Sequence, residues 1–150
     1  MNIYIASDHR GVEIKNRLID YLNKIEINVY DIGLENNQTD DYPDFAFKVC
    51  EKVLEENCIG ILICGNGIGM SIAANKVKGI RAVRAVNIDD AFNGKNHNGA
   101  NVLCLGADLD DELIYNIVDM FITTKTPSEE KHIKRINKII NFENGAYNEL

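Results

Sequence analysis

The sequence predicts a three-layer α/β/α sandwich built on a parallel sheet of about five strands. Five short apolar runs alternate along the 150 residues with amphipathic segments of helical period. Strict alternation of strand and helix indicates a parallel sheet with helices on both faces, because each crossover helix packs back onto the sheet. Right-handed crossovers then make the sheet doubly wound. A chain of this length is expected to form one domain, over 1–150.

The strands are expected where β-branched and other apolar residues cluster. They are 2–6, 27–32, 59–64, 80–86 and 101–105. The helices are expected in the amphipathic segments that follow the strands. They are approximately 11–24, 43–56, 68–77, 88–97, 110–122 and 127–141. This succession is typical of a Rossmann-like, doubly wound fold.

The apolar periodicity of the helices supports these assignments. One stripe of the first helix carries Ile14, Leu18, Leu22 and Ile25. One stripe of the fifth helix carries Leu113, Ile117, Val118 and Phe121. The last helix repeats the pattern with Ile133, Ile136, Ile139 and Ile140.

The start of the last helix carries a capping signal. Thr126 is the expected N-cap, Pro127 follows in the first turn, and Glu129 stands three residues after the cap. The tail, 142–150, is expected to be loosely held.

The overall charge bears on the classes of partner. The formal net charge is −7 and no more than two basic residues are consecutive, so nucleic acid and anionic membranes are not expected as partners. A small anionic ligand stays compatible with this charge. No apolar run approaches the ~20 residues of a membrane span. The chain begins with the strand-like segment 2–6 rather than a basic leader, and we expect it in the cytoplasm.

The four cysteines lack the spacing of metal sites. Cys50, Cys58, Cys64 and Cys104 show neither C-x-x-C spacing nor a Cys/His zinc pattern. In a chain without a leader, free thiols are expected. No metal or other cofactor is expected.

One segment predicts a specific chemistry. The apolar run 59–64 ends at Cys64, and Gly65, Gly67 and Gly69 follow before a predicted helix. Alternating glycines let backbone N–H groups point at one spot, and the dipole of the following helix favours negative charge there. The same field favours the thiolate form of the cysteine. The segment therefore predicts a base and an oxyanion cradle side by side.

Polar residues collect where the first three predicted strands end. Asp8 and His9 follow the first strand, Asp41 and Tyr42 lie in the loop after the second, and the turn 65–69 follows the third. Ligands of doubly wound sheets bind at the carboxyl ends of the strands. We therefore expect these residues to form an active site.

Six short motifs in register give the chain a family resemblance. They are Ser-Asp-His-x-Gly at 7–11, Asp-Tyr-Pro at 41–43, Ile-Leu-Ile-Cys-Gly-x-Gly-x-Gly at 61–69, Ile-Ala-Ala-Asn-Lys at 72–76, Gly-Ile-Arg-Ala-Val at 79–83 and His-Asn at 97–98. Over about residues 1–140 the chain resembles the type B ribose-5-phosphate isomerases, which are related to the galactose-6-phosphate and allose-6-phosphate isomerases. The resemblance implies an aldose–ketose isomerase that needs no metal and works through a cis-enediolate.

The resemblance also implies roles for single residues. Cys64 is the implied base that moves a proton between C1 and C2, and the turn 65–69 is the implied cradle of the enediolate oxygens. His97 is the implied acid that helps to open the sugar ring. Met70, rather than a glutamate, follows the third glycine, so the chain is similar to the branch of the family that uses cysteine. The implied ligands of the sugar and its phosphate are Asp8, His9, Tyr42, Gly65, Asn66, Gly67, Ile68, Gly69, Ser71, Asn98, Lys131 and Arg135.

The family builds its site across a subunit interface. A homodimer or homotetramer with sites between subunits is therefore implied for this chain. The segment with His97 and Asn98 is expected to reach the pocket of the partner.

Three positions depart from the family pattern. Asp108 stands where the family usually has an arginine, and an aspartate there repels a phosphate. Lys131 replaces an arginine, although lysine cannot form a bidentate fork. Asn66 replaces a threonine or serine, and its amide can still donate. Whether Arg10 or Arg84 supplies the missing charge stays open.

Several of these residues have a simpler interpretation. Cys64 fits a small core residue, Asp8 fits a helix cap, and His97 fits a solvated loop. Tyr42 fits core packing and pocket lining equally well. The cations of the last helix fit a solvated face.

The sequence therefore predicts a pentose-phosphate isomerase that acts on ribose 5-phosphate and ribulose 5-phosphate. Three alternatives stay open. Asp108 motivates an isomerase of a six-carbon sugar phosphate, such as allose 6-phosphate or galactose 6-phosphate. A protein that binds a sugar phosphate without catalysis is the second alternative. The third is a nucleotide-binding, flavodoxin-like domain, for which Asp89 lies about 20 residues beyond the glycine turn.

Overall fold

The computed structural model describes residues 1–33 and 41–146, and its sheet has five parallel strands. The strands are β1 (Asn2–Ser7), β2 (Asn28–Asp31), β3 (Ile59–Cys64), β4 (Ala82–Arg84) and β5 (Val102–Gly106). Their order in the sheet is β2-β1-β3-β5-β4, and each neighbouring pair is parallel. The ends of the predicted strands differ from the observed ends by at most two residues.

Six helices and one 3-10 turn, His9–Gly11, accompany the sheet in the described residues. The helices are α1 (Val12–Lys24), α2 (Tyr42–Glu56), α3 (Ile68–Ala74), α4 (Ile88–Asn96), α5 (Asp111–Thr123) and α6 (Glu130–Glu143). Helices α2 and α3 pack on one face of the sheet, whereas α1, α4 and α5 pack on the other. The predicted three-layer α/β/α sandwich is confirmed.

The central strand β3 carries apolar side chains to both layers, and all of its residues are buried. Side chains alternate between the two faces of a strand. Ile61 and Ile63 pack toward α1 and α5, while Leu62 and Cys64 pack toward α2 and α3. Cys64 therefore ends β3 on the side of the α2–α3 layer.

The chain moves in opposite directions on leaving β1 and β3. It goes from β1 to β2 at one edge, and from β3 to β4 and β5 on the other side of the sheet. Such a reversal opens a crevice at the carboxyl ends of the two strands, where doubly wound folds bind ligands. The N–H of Asp8, directly after β1, donates to the carbonyl of Ile63 at 3.1 Å. The ends of β1 and β3 are thus held side by side.

The predicted start of the last helix is wrong. Helix α6 begins at Glu130, and Thr126 and Pro127 lie in the irregular connection before it. The side-chain amide of Asn96 donates to the carbonyl of Lys125 at 3.2 Å, which holds this connection against the end of α4. A tertiary contact therefore overrides the local capping signal.

Two smaller differences concern helix ends. Ile25, expected on the buried stripe of the first helix, follows the end of α1 and is 44% exposed. Helix α6 continues to Glu143, so the first residues of the expected loose tail are helical. Residues 147–150 of that tail lie outside the described residues. No helix within the described ranges has the length and apolar character needed to cross a membrane.

Candidate active site

Cys64 ends β3, directly beside the end of β1. The residue is 4% exposed, and it packs in the apolar cluster that includes Met70 of α3. Its carbonyl accepts a hydrogen bond from the N–H of Ala107 at 2.8 Å. All four cysteines are free thiols, as predicted. Burial raises the pKa of Cys50 to about 12 and also raises the pKa of Cys104, so these two thiols stay protonated at neutral pH.

The turn after Cys64 is closed by its own asparagine. The side-chain oxygen of Asn66 accepts the N–H of Ile68 at 3.0 Å. Gly67 has φ +80°, and a Cβ at this position would lie 3.1 Å from the carbonyl carbon of Leu105, so only glycine fits without strain. Within the described residues, the N–H groups of Gly65, Asn66 and Gly67 donate to no protein acceptor. These three donors are available to an anion beside the thiol.

The helix after the turn is shorter than the sequence predicts, so its dipole contributes less to the oxyanion cradle. Helix α3 is seven residues long, about two turns. A helix this short aligns few peptide dipoles. The donors of the turn itself therefore define the oxyanion cradle.

Two guanidinium groups outside the implied ligand set lie against the turn. The guanidinium of Arg10 lies over Gly65, in the space that a Cβ there would occupy. Arg84 donates from Nε to the carbonyl of Asn66 at 2.8 Å. The N–H of Asp108 donates to the carbonyl of Gly65 at 3.2 Å, and its Oδ1 lies over Gly106 close to the backbone of Asn66, so this carboxylate also borders the turn. The sequence signal for both arginines is their position at the carboxyl end of a strand.

Asp8 caps the 3-10 turn after β1 rather than the first helix α1, whose N-cap is Gly11. It is 7% exposed, and its Oδ1 accepts the N–H of Arg10 at 3.0 Å. His9 is exposed in the same turn. The cap therefore holds His9 and Arg10 at the crevice.

Tyr42 borders the other end of the turn, at Gly69. Its ring lies over Gly69, where a Cβ would be 2.8 Å from Cζ, and the residue is 39% exposed. This placement favours pocket lining over core packing. The hydroxyl of Ser71 donates to the carbonyl of Ile68 at 2.9 Å, which ties it to the first turn of α3.

Cys64 lies at the carboxyl end of the parallel strands, whereas His97 and Asn98 lie at the opposite end of the sheet, where the strands begin. Helix α4 runs antiparallel to the strands, and the segment after it returns at the start of β5, where the N–H of Asn101 donates to the carbonyl of Arg81 at 2.9 Å. The five residues of β5 separate this end of the sheet from the turn, a span of about 15 Å at 3.3 Å per residue. One chain therefore does not bring the predicted acid to the predicted base.

A second group of predicted residues surrounds His97. Its ring stacks on that of His132 in α6, with centroids 4.4 Å apart and planes 15° from parallel. Lys131 pairs with Glu129 at 3.0 Å, and Arg135 is exposed one turn further along α6. Burial, the His97 ring and the charge of Lys131 lower the pKa of His132. The predicted site residues thus fall into two groups. His132 belongs to the second group, although the sequence motifs assign it no role.

In the part of the chain that the structure describes, no group of three or more His, Cys, Asp or Glu side chains is placed to hold a metal ion.

The family model described as Ribose/Galactose Isomerase matches residues 3–139. The chain belongs to the ribose/galactose isomerase family. The structure of Clostridium thermocellum ribose-5-phosphate isomerase B superposes with a TM-score of 0.91 at 41% identity, covering 97% of this chain and 99% of that one. The Mycoplasma genitalium ribose-5-phosphate isomerase B, solved with bound ribulose 5-phosphate, gives a TM-score of 0.90 at 42% identity, over 95% and 96% of the two chains.

A Mycobacterium tuberculosis ribose-5-phosphate isomerase B is 33% identical over 146 residues, which cover 95% of this chain and 90% of that protein. These similarities confirm the predicted family and the predicted class of enzyme, an aldose–ketose isomerase of sugar phosphates. The nucleotide-binding and non-catalytic alternatives gain no support from them.

Proposed function

We propose that this isomerase interconverts ribose 5-phosphate and ribulose 5-phosphate, with Cys64 as the base. The observation that carries the proposal is the placement of a thiol directly before a turn that offers three N–H groups without protein acceptors among the described residues. An aldose–ketose isomerase needs a base next to an oxyanion cradle. The choice of substrate rests on the similar structure that holds ribulose 5-phosphate.

The proton transfer proceeds on the open-chain sugar. The thiolate of Cys64 takes the proton from C2 of the aldose, the C–H electrons form the C1=C2 double bond, and the carbonyl oxygen at C1 becomes an oxyanion. The N–H groups of Gly65, Asn66 and Gly67 stabilise that oxyanion. A proton then passes from the oxygen on C2 to the oxygen on C1, and the thiol returns its proton to C1. The product is the ketose, and the thiolate is regenerated.

Opening of the sugar ring is assigned to His97 of a second copy of the chain. Within one chain the length of β5, about 15 Å, lies between the end of the sheet that carries His97 and the turn, so a shared site requires a dimer. The group around His97 also carries Lys131 and Arg135, two exposed cations suited to a phosphate. A two-fold axis that brings the His97 group of one chain to the glycine turn of its partner would complete two equivalent sites.

Exposed apolar side chains supply a surface for such a dimer. Ile72 of α3 is 56% exposed, Phe92 of α4 is 40% exposed, and Ile139 of α6 is 46% exposed. Exposed large apolar side chains of this kind are found at interaction sites. These helices border both groups of site residues.

We also propose that the enzyme works without a metal and in the cytoplasm. All four cysteines are free thiols, and a reducing compartment keeps a catalytic thiol in that form.

A substrate panel tests the proposed function. Purified protein in the presence of a chelator should convert ribose 5-phosphate to ribulose 5-phosphate, with a higher kcat/KM than for allose 6-phosphate or galactose 6-phosphate. A higher kcat/KM for a six-carbon substrate would assign the enzyme to that sugar instead. Loss of activity in the chelator would contradict the metal-free mechanism.

A further inference from the structure

Arg10 is built into the candidate site by its neighbours. Its backbone is fixed, because its N–H donates to Asp8 Oδ1 at 3.0 Å and the next N–H, of Gly11, donates to the carbonyl of Asp8 at 3.1 Å. Its guanidinium crosses from the turn after β1 to the end of β3. There Nη1, Cζ and Nε occupy the volume that a Cβ of Gly65 would fill. The missing side chain of Gly65 therefore makes the slot in which the guanidinium lies.

The guanidinium of Arg10 has no carboxylate partner in the described ranges 1–33 and 41–146. The contrast with Arg17 is direct, since Arg17 Nε pairs with Asp111 Oδ2 at 2.7 Å. Arg84 is also partly engaged, through its hydrogen bond to Asn66. An unpaired guanidinium presents its full fork of N–H donors, which matches a phosphate in geometry and charge.

The side of the turn on which Arg10 lies decides which part of the substrate it meets. Successive side-chain positions of an extended strand point to opposite faces. Cys64 packs in the α2–α3 cluster, whereas the Cβ position of Gly65, the residue after the strand, is occupied by Arg10. The guanidinium therefore borders the turn at Gly65 rather than the thiol itself. It is placed for a substrate group other than the carbons that face the thiol.

We propose that Arg10 binds the phosphate group of the substrate and that this contact determines specificity for phosphorylated sugars. This inference rests on the proposed function and adds a ligand outside the set that the motifs imply. Asp108 borders the same turn and repels a phosphate dianion. The guanidinium of Arg10 offsets that repulsion.

Three variants test the role of Arg10. Arg10→Met removes the charge, Arg10→Lys keeps the charge without the fork, and Arg17→Met is the control that removes an arginine outside the site. Hydrogen bonds to charged groups stabilise enough for R10M to raise KM for ribose 5-phosphate about tenfold or more, with kcat within about twofold. Inhibition by inorganic phosphate should weaken by a similar factor. R10K should fall between R10M and the wild type, and R17M should match the wild type.

Direct binding of inorganic phosphate, measured by titration calorimetry, separates this inference from the proposed function. A wild type that turns over no sugar phosphate overturns the proposed function alone, while weaker phosphate binding by R10M than by the wild type still supports the role of Arg10. Equal phosphate affinity in the two proteins, or binding by neither, overturns the role of Arg10. So does an R10M enzyme whose kcat falls while KM and phosphate inhibition stay unchanged.

Discussion

The imidazole ring of His97 stacks on the ring of His132, with centroids 4.4 Å apart and planes 15° from parallel. The pair joins the end of α4 to α6, at the end of the sheet opposite Cys64. A site that uses His97 and Cys64 together must therefore take them from two copies of the chain. This separation links the proposed chemistry to the proposed dimer.

Mixing two inactive variants tests the shared site. Cys64→Ala removes the base and His97→Gln removes the acid, so each variant alone is expected to be inactive. In a hybrid dimer with shared sites, one site carries both substitutions and the other carries neither. Random assortment makes about half of the dimers hybrids, so ribose 5-phosphate isomerisation should return to about a quarter of the wild-type rate.

The hybrids must be verified for this test to count. Different affinity tags on the two variants allow hybrids to be isolated after joint refolding or co-expression, and sedimentation gives their mass. Isolated hybrids without activity would contradict a site shared between subunits.

Acidification should weaken the contribution of His132 to stability. Its pKa is lowered in the folded protein by burial, by His97 and by Lys131, with an opposing effect of Glu129, and Arg135 acts in the same direction as Lys131. The unfolded chain therefore takes up this proton first as the pH falls. The stabilising contribution is complete above the unfolded pKa of about 6.5 and is lost as the pH falls through that value toward the folded pKa.

Urea unfolding of wild type, His132→Gln and His132→Phe checks this. The free energy of unfolding of the wild type should fall more than that of either variant between about pH 7.5 and pH 5. His132→Phe keeps an aromatic ring against His97, so it separates the titration from the stacking. Parallel pH dependence in all three proteins would be inconsistent with the lowered pKa.

Gly67 is expected to be required by both its backbone and its neighbour. Gly67→Ala places a side chain at φ +80° and 3.1 Å from the carbonyl carbon of Leu105. Gly145 has φ +72° with nothing within 4 Å of its Cβ position, so Gly145→Ala is a matched control. The left-handed backbone costs about 1 kcal/mol in both variants, and the close contact should add about 1–3 kcal/mol in G67A alone.

Activity should separate the same two variants more widely. A displaced turn misplaces the N–H donors, and loss of one oxyanion donor costs about 10²-fold or more in kcat. G145A should keep the wild-type kcat. Equal unfolding free energies and equal rates for the two variants would contradict the role given to the turn.

Local periodicity was enough to predict the layers of the fold. The apolar stripe of the fifth helix and the continuous apolar run of β3 report burial directly, and both are confirmed. Tertiary contacts decided what local signals could not. The capping signal at Thr126 lost to the contacts of the α4–α6 region, and the order β5-β4 at the sheet edge leaves no mark in the sequence.

The sequence proposes the members of the candidate site but does not give its geometry. The motifs named Cys64, the glycine turn and His97, yet no spacing in the sequence shows that His97 lies at the opposite end of the sheet from Cys64. The place of Arg10 depends on an empty volume over Gly65, which only the structure shows. Tyr42 fitted two interpretations equally, and its exposed position over Gly69 favours pocket lining.

The most direct test of the account is the kcat of Cys64→Ala for ribose 5-phosphate, with Cys50→Ala as the control. Both thiols lie in the same apolar cluster, so the two variants lose a similar contact, and circular dichroism verifies that both are folded. The account predicts a loss of about 10²–10⁴-fold or more in C64A and a near wild-type kcat in C50A. A folded C64A enzyme within about tenfold of the wild-type rate would contradict the assignment of the base.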